Sequence, residues 1–352
     1  MLVNETIRVG VLGYGLAGRY FHVPFIRESA RFELRAVATS RKEAAEQLPG
    51  ARITDAVDIL AADDIDLVVV ATPHRFHVPQ TLAALEAGKH VVVEKPVAVS
   101  SAEIAQLQQA AAAAERLVIP FQNRRWDGDF IAVRKLVASG MLGTIHHLEM
   151  HWPKYRPQPR GVWREVADEL GGILNDLGPH LIDQTLQLFG MPQTVYGHVM
   201  IHRPNCTVDD AFRIQMEYGS GLYVLLEVDV LNGLTALRFA IRGTNGTFEK
   251  YDIDPQEDAL REGLMPDDPR WATQSETARI VTGGAHGLFI SGEMAIPPGD
   301  YRQYWADVAS AIEGAAPPPV TLDEVLDQMR VLEAVRRSDA SDQPVKINME
   351  TK

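Results

Sequence analysis

Short apolar runs alternate with helix-like stretches through the first third of the 352-residue chain, and then the alternation stops. Ile7–Leu12, Glu33–Thr39, Leu67–Thr72, His90–Val93 and Leu117–Phe121 are apolar and rich in β-branched residues, the signature of strands covered on both faces. Between them, helices are predicted near Gly18–Ser29, Ala56–Ala61, His77–Ala87 and Ser100–Glu115. Ser100, Ser101 and Glu103 have the spacing of a capping box at the start of the last one. The run Ala110–Ala114 that follows is a good helix former and needs no other explanation. Strands alternating with helices predict a parallel sheet flanked by helices on both faces.

After about residue 122 the period changes. Asp127–Ser139 reads as a helix ended by Gly140, and Thr144–Trp152 alternates as a strand. Leu170–Phe189 carries a helical apolar stripe stopped by Gly190 and Pro192. Strand-like runs follow at Thr194–His202, Ala211–Tyr218, Leu222–Val230, Ala236–Arg242 and Thr247–Tyr251. Their turns are marked by Gly219-Ser-Gly221, Asn232-Gly233 and Asn245-Gly246. Strands in succession without crossover helices predict an antiparallel sheet. Residues 254–300, rich in Pro, Gly and Asp, are expected to form a long surface excursion. Two helices, Tyr301–Glu313 and Leu322–Arg337, flank Pro317-Pro318-Pro319. The division expected is a first domain over 1–122 and a second over 123–352, the last helices packing back on the first domain. A chain of this length is large for a single core.

The strongest chemical signal follows the first strand: Gly13-Tyr14-Gly15-Leu16-Ala17-Gly18. In a dinucleotide-binding strand–turn–helix, Gly13 permits the tight turn, Gly15 lets backbone approach a pyrophosphate, and Gly18 lets the helix pack closely on the strand. The anion then lies at the helix N-terminus, where unbonded N–H groups favour negative charge. Glu94-Lys95-Pro96 ends another predicted strand, and open α/β sheets bind ligands at strand carboxyl ends. A lysine there can stabilise a developing alkoxide; the alternative is a surface ion-pair residue. Asp176 and His180 lie one helical turn apart on one face, which Asp183 continues. A carboxylate so placed can orient an imidazole for proton transfer; a helix-start aspartate and a packed histidine are the plainer reading. Asn123-Arg124-Arg125-Trp126-Asp127 and a Pro-rich stretch with Lys154, Tyr155, Arg156, Trp163 and Arg164 offer donors and aromatic faces for a hydroxyl-rich ligand.

NAD enzymes commonly place an acidic residue about 20 positions beyond the glycine turn to hold the ribose 2′-OH. Here the second strand ends in Ala38-Thr39-Ser40-Arg41. Ser40 and Arg41 suit a 2′-phosphate, so NADP(H) is expected over NAD(H). A net charge of −13 argues against nucleic-acid binding and against docking to an anionic membrane. The single cysteine, Cys206, forms no internal disulfide and is expected to be a half-buried packing residue. No apolar run approaches the ~18 residues of a membrane span, the first strand begins too early for a secretory leader to precede it, and a cytoplasmic location is expected. No metal site is expected, since neither H-E-x-x-H nor a cysteine cluster is present.

Gly13–Gly18, Glu94-Lys95-Pro96 and Asp176-x-x-x-His180, in this order and spacing, resemble the Gfo/Idh/MocA oxidoreductases over nearly the whole chain. Gly13–Pro24, Asn123–Asp127, Tyr155-Arg-Pro157 and Asp176–Thr185 are similar to the branch containing NADP-dependent scyllo-inositol dehydrogenases. The resemblance implies a Rossmann domain followed by an α/β domain with a large, mostly antiparallel sheet, one face of which packs on another subunit in a homodimer or homotetramer. It implies Lys95, Asp176 and His180 as catalytic residues and Tyr14, Leu16, Thr72, Pro73, His77, Glu94 and Asn123 as cofactor contacts. By the chemistry of their side chains, Arg124, Tyr155, Trp163 and Arg164, with Asp176 and His180, are expected around a small polyhydroxylated substrate. The expected reaction is hydride transfer between NAD(P) and a cyclitol or sugar. Whether His180 or Lys95 is the immediate base stays open, because two coupled groups share the proton. A redox-neutral elimination or glycoside hydrolysis assisted by bound NAD, and a nucleotide-binding sensor, are the alternatives.

Overall fold

The computed structural model describes residues 6–161, 165–166, 171–234, 237–271, 277–283 and 288–347. The chain forms two compact units, one of residues 1–123, 260–265 and 301–326, the other of residues 124–259, 266–300 and 327–352.

The first unit is built on β1 (Ile7–Leu12), β2 (Phe32–Ala38), β3 (Arg52–Thr54), β4 (Leu67–Val70), β5 (His90–Val93) and β6 (Val118–Pro120). They pair in parallel in the order β3-β2-β1-β4-β5-β6. Val9, Val11, Val68, Val69 and Val91–Val93 are fully buried, because helices cover both faces of a parallel sheet. These are α1 (Val23–Glu28), α2 (Ala44–Gln47), α3 (Ala56–Ala61), α4 (His77–Glu86) and α5 (Ser101–Ala114). The helix expected over Gly18–Ser29 begins instead as a π turn, Gly18–His22, whose Val23 N–H reaches back to the Gly18 carbonyl. Pro24 follows and has no N–H to continue an α-type ladder. The short β3 and α2 were not anticipated; three residues with Arg52 exposed carry no apolar run to read. Ser100 Oγ accepts from the Glu103 N–H, while Glu103 answers to the Val99 N–H.

The C-terminal α9 (Arg302–Ile312) belongs to this unit. Trp305 Nε1 donates to the Phe21 carbonyl at 3.4 Å, and Arg31 forks onto the Glu313 carboxylate at 2.7 and 3.2 Å.

The second unit contains α6 (Gly128–Ala138), β7 (Ile145–Pro153), α7 (Ile173–Phe189), β8 (Thr194–Met200), β9 (Ala211–Glu217), β10 (Tyr223–Asp229), β11 (Leu237–Gly243), β12 (Gly246–Tyr251), α8 (Gln256–Arg261), β13 (Ala278–Gly283) and β14 (Phe289–Met294). α10 (Leu322–Ser341) and β15 (Val345–Lys346) complete the chain. The nine-stranded sheet runs β14-β13-β12-β11-β7-β10-β9-β8-β15 and is antiparallel except for the pair β7–β10. Residues 254–300 are therefore more than a surface excursion. They hold α8 and a hairpin that extends the sheet, hidden from sequence reading because β14 is exposed along nearly its whole length and shows no core-facing alternation.

One sheet face is apolar: Leu148, Met150 and Trp152 of β7 meet Leu177, Leu181 and Ile182 of α7, with Leu332 and Val335 of α10. The other face carries half-exposed His147, Glu149 and His151 of β7 beside Tyr223 and Glu227 of β10. No described helix is long and apolar enough to cross a membrane.

Candidate active site

In the first unit, sequence-predicted residues gather at one edge of the sheet. β1 and β4 are neighbours from which the strand order runs outward in both directions, and the crevice at their carboxyl ends is the ligand position of such sheets. Gly13 leaves β1 with φ +100°, and a Cβ there would stand 2.5 Å from the Ala71 carbonyl just beyond β4. A Cβ on Gly18 would meet the Gly13 carbonyl at 2.1 Å, so the helix start rests on the turn itself. Gly15 has nothing within 4 Å of its Cβ position. The turn is thus tight below and open above, which fits a pyrophosphate. Tyr14 is buried and donates to Gln47 Oε1 at 3.3 Å; Leu16 is half-buried in the helix start. Ser40 and Arg41 follow β2 and are exposed, with Arg41 Nη1 3.2 Å from Glu43 Oε1. Thr72 and Pro73 follow β4, and Thr72 Oγ1 donates to Gln80 Oε1 at 2.6 Å. Asn123 follows β6 and is buried.

Glu94 and Lys95 follow β5. Glu94 is buried against His22, whose Nε2 lies 3.0 Å from Oε1, while Oε2 accepts the Lys95 N–H at 3.1 Å. Burial alone would raise the Glu94 carboxyl; the bond to His22 and the charges of His22 and Lys95 outweigh it and hold the group below the usual carboxylate range. Glu94 thus fixes the backbone from which Lys95 projects, half-buried. The Lys95–Pro96 peptide is cis. His77 is almost wholly buried, with Nδ1 2.8 Å from the Pro96 carbonyl and Nε2 2.8 Å from that of Thr72. The ring lies between two backbone carbonyls and, with one N–H when neutral, donates to one of them, bracing the β4 turn to the lysine loop. Burial pushes its pKa down.

In the second unit, α7 presents Asp176 half-buried and His180 buried. The first turn of α7 is capped from a distance: Asp209 Oδ2 accepts the Leu174 N–H at 2.6 Å, because Gly172 at the helix start has no side chain to do so. The Asp209 carboxyl is pushed up by burial in spite of these bonds. His180 lies against the Trp152 indole, ring centroids 6.0 Å apart and planes at 27°. The guanidinium groups of Arg124 and Arg238 each lie 4.9 Å from the same indole.

Asp183, on the Asp176 face, does not extend the site. Both its oxygens take Arg125, at 2.7 and 2.9 Å, in a buried pair. Arg124 is also committed to the protein: it is buried, bonded to Glu257 and 3.6 Å from Asp127. Its neighbours make it part of a supporting network around Trp152. Tyr155 is mostly exposed and bridges to Leu231. Trp163 and Arg164 lie outside the described residues. Cys206 is half-buried, and burial raises its thiol pKa.

Sequence reading missed Trp152 and His22. Trp152 alternates with Met150 and Leu148 and so reads as core; only the packing of β7 on α7 puts it beside His180.

A parallel sheet with an open glycine turn and a lysine at a neighbouring strand end defines a dinucleotide-binding unit joined to an α/β sheet unit. The chain belongs to the Gfo/Idh/MocA oxidoreductases: the family's NAD-binding Rossmann fold matches residues 7–121 and its C-terminal alpha/beta domain residues 134–347. It is 37% identical over 338 residues, 95% of this chain and 94% of the relative, to scyllo-inositol 2-dehydrogenase (NADP(+)) IolW of Bacillus subtilis (strain 168). It is 30% identical to inositol 2-dehydrogenase 4 of Saccharopolyspora erythraea, over 64% of this chain and 68% of that one. The solved structure of yvaA from Bacillus subtilis matches with a TM-score of 0.92 at 34% identity, covering 98% of this chain and 100% of that one.

Proposed function

We propose that the protein is an NADP(H)-dependent cytoplasmic dehydrogenase of cyclitols or sugars, with scyllo-inositol and its 2-keto form as the first pair to test. The observation that carries this reading is the grouping of the open glycine turn, Thr72, Lys95 and Asn123 at the carboxyl ends of β1, β4, β5 and β6. Nicotinamide, when bound, supplies the hydride acceptor. The chain's own groups manage the proton and the charge. As the carbinol hydrogen leaves as hydride, either His180 takes the O–H proton while the Lys95 ammonium stabilises the forming alkoxide, or a neutral Lys95 takes the proton and stabilises the alkoxide as the ammonium so formed. Asp176 orients the histidine and accepts from a substrate hydroxyl. Asn123 and Tyr14 contribute to the cofactor cradle.

Ser40 and Arg41 bind the 2′-phosphate. The Arg41–Glu43 contact is exposed on both sides and weak enough to be exchanged for a phosphate. The half-exposed face of the nine-stranded sheet, with exposed Leu288, Phe289 and Ile290 at the β14 edge, supports a homodimer or homotetramer. The test is a panel of inositols, aldoses and keto forms with each cofactor, followed at the nicotinamide absorbance. NADP+-dependent oxidation of scyllo-inositol with no turnover of aliphatic alcohols is expected. A hydroxy acid preferred over every neutral polyol, or a preference for NAD, overturns the assignment of substrate or cofactor respectively.

A further inference from the structure

Lys154 has no part in the reaction outlined above, yet it is built into the same face of the second unit. Leu148, Met150 and Trp152 point from β7 toward α7, and period-two alternation puts the next residue of that series at 154. Backbone pairing with the segment after β10 continues beyond the strand, though the bridge at Tyr155 is antiparallel where β7 and β10 are parallel. The Lys154 N–H bonds to the Asp229 carbonyl at 3.3 Å and the Arg156 N–H to that of Val230 at 2.6 Å, with Tyr155 bridged to Leu231. On α7, Trp152 meets His180, and Asp176 lies one turn nearer the helix start.

Lys154 is half-buried, and among the described residues no side chain or carbonyl accepts from its Nζ. An ammonium has three N–H donors, and withdrawing them from water without acceptors is unfavourable. The charged groups facing it are Asp176 of α7, Glu257 of α8, Arg156 just beyond β7 and Arg124. The two carboxylates favour the ammonium and the two guanidiniums oppose it. Burial dominates and pushes Lys154 down to about 8.

We propose that Lys154 is a substrate-binding residue, its ammonium donating to hydroxyl oxygens of the polyol next to the carbinol that reacts. The inference rests on the dehydrogenase reading above. Three donors without acceptors among the described residues, beside the residues proposed to handle the reacting hydroxyl, match a ligand that carries an oxygen on every carbon. Loss of the Lys154 proton above about pH 8 removes the charge and one donor, so substrate affinity falls as pH rises through that value.

The test separates binding from turnover. Scyllo-inositol is titrated into the protein–NADPH complex, in which an alcohol cannot react, and followed by nicotinamide fluorescence between pH 6.5 and 9.5. The native protein is expected to lose about thirtyfold in affinity over that range, in proportion to the ammonium fraction. Lys154→Arg, charged throughout, is expected to show a flat profile. Lys154→Met is expected to bind about 10–100-fold more weakly and equally at every pH. Unfolding midpoints of both variants exclude a folding defect. Native-like affinity in Lys154→Met, or an unchanged pH profile in Lys154→Arg, overturns the proposal. Turnover by the native protein is scored separately, so failure of the dehydrogenase reading is not mistaken for failure of this one.

Discussion

The two units solve the problem of placing polar groups in opposite ways. In the first, polar function sits where strands end, and backbone does most of the holding: a glycine turn against the Ala71 carbonyl, and His77 between two carbonyls. Its central strands bury valine and leucine side chains on both faces. In the second, the candidate residues ride on the side of a helix, and charge does the holding beneath them. Arg125–Asp183 and Arg238–Asp129 are buried on both sides, and Arg203 is shared between Asp210 and Glu165. Buried ion pairs are poor sources of net stability but costly to break singly. Single substitutions therefore have different consequences in the two units.

The largest effect expected in the first unit is on rate alone. Lys95 is half-buried at a strand end, so Lys95→Ala should lower kcat by roughly 10²–10⁴-fold while the denaturation midpoint and NADPH affinity stay close to native. A comparable loss of stability would remove the contrast between the units. In the second unit, Asp183→Ala leaves the Arg125 guanidinium buried without its partner. A loss of about 3–5 kcal/mol is expected in denaturant unfolding. Asp183→Ala together with Arg125→Met should recover much of it.

Cofactor choice gives a smaller and more selective signal. Arg41→Ala should weaken NADPH about tenfold more than NADH in direct titrations; equal weakening of both would place Arg41 outside the 2′-phosphate site. Smallest of all is the pair Arg8–Asp66 at the opposite end of β1, where bonding to Arg8 holds the Asp66 carboxyl below its ordinary value despite partial burial. A lowered carboxyl contributes stability above its unfolded pKa and loses it as pH falls through the folded one. Asp66→Asn should therefore narrow the stability gap to native on acidification, by an amount discounted for solvent screening. A gap that widens toward low pH would contradict this sign.

What could be read in advance followed the same divide. Ile7–Leu12 and His90–Val93 coincide with β1 and β5 because central parallel strands are mostly apolar, broken here only by Arg8 and by His90 at the strand start. The 2-residue β15 and the exposed β14 have no such run. The glycine turn, Lys95, Asp176 and His180 are legible as local spacings. The surroundings that commit Arg124 and His77 are not. Arg124 meets Glu257 across 133 positions, and His77 meets the Pro96 carbonyl across 19. Arg124 could be read only as a polar residue near a predicted strand end, although its guanidinium is paired with Glu257.

The cap on α7 has a consequence for the order in which the molecule is made. The first turn of the helix bearing Asp176 and His180 is completed by Asp209, 35 positions beyond the Leu174 N–H that it accepts. A nascent chain has passed through α7 and β8 before that carboxylate exists, and closing so long a loop is slower than closing a local cap. Until then the helix start frays. The surface proposed to receive substrate is thus completed only once Asp209 has joined the chain, well after the helix that bears it.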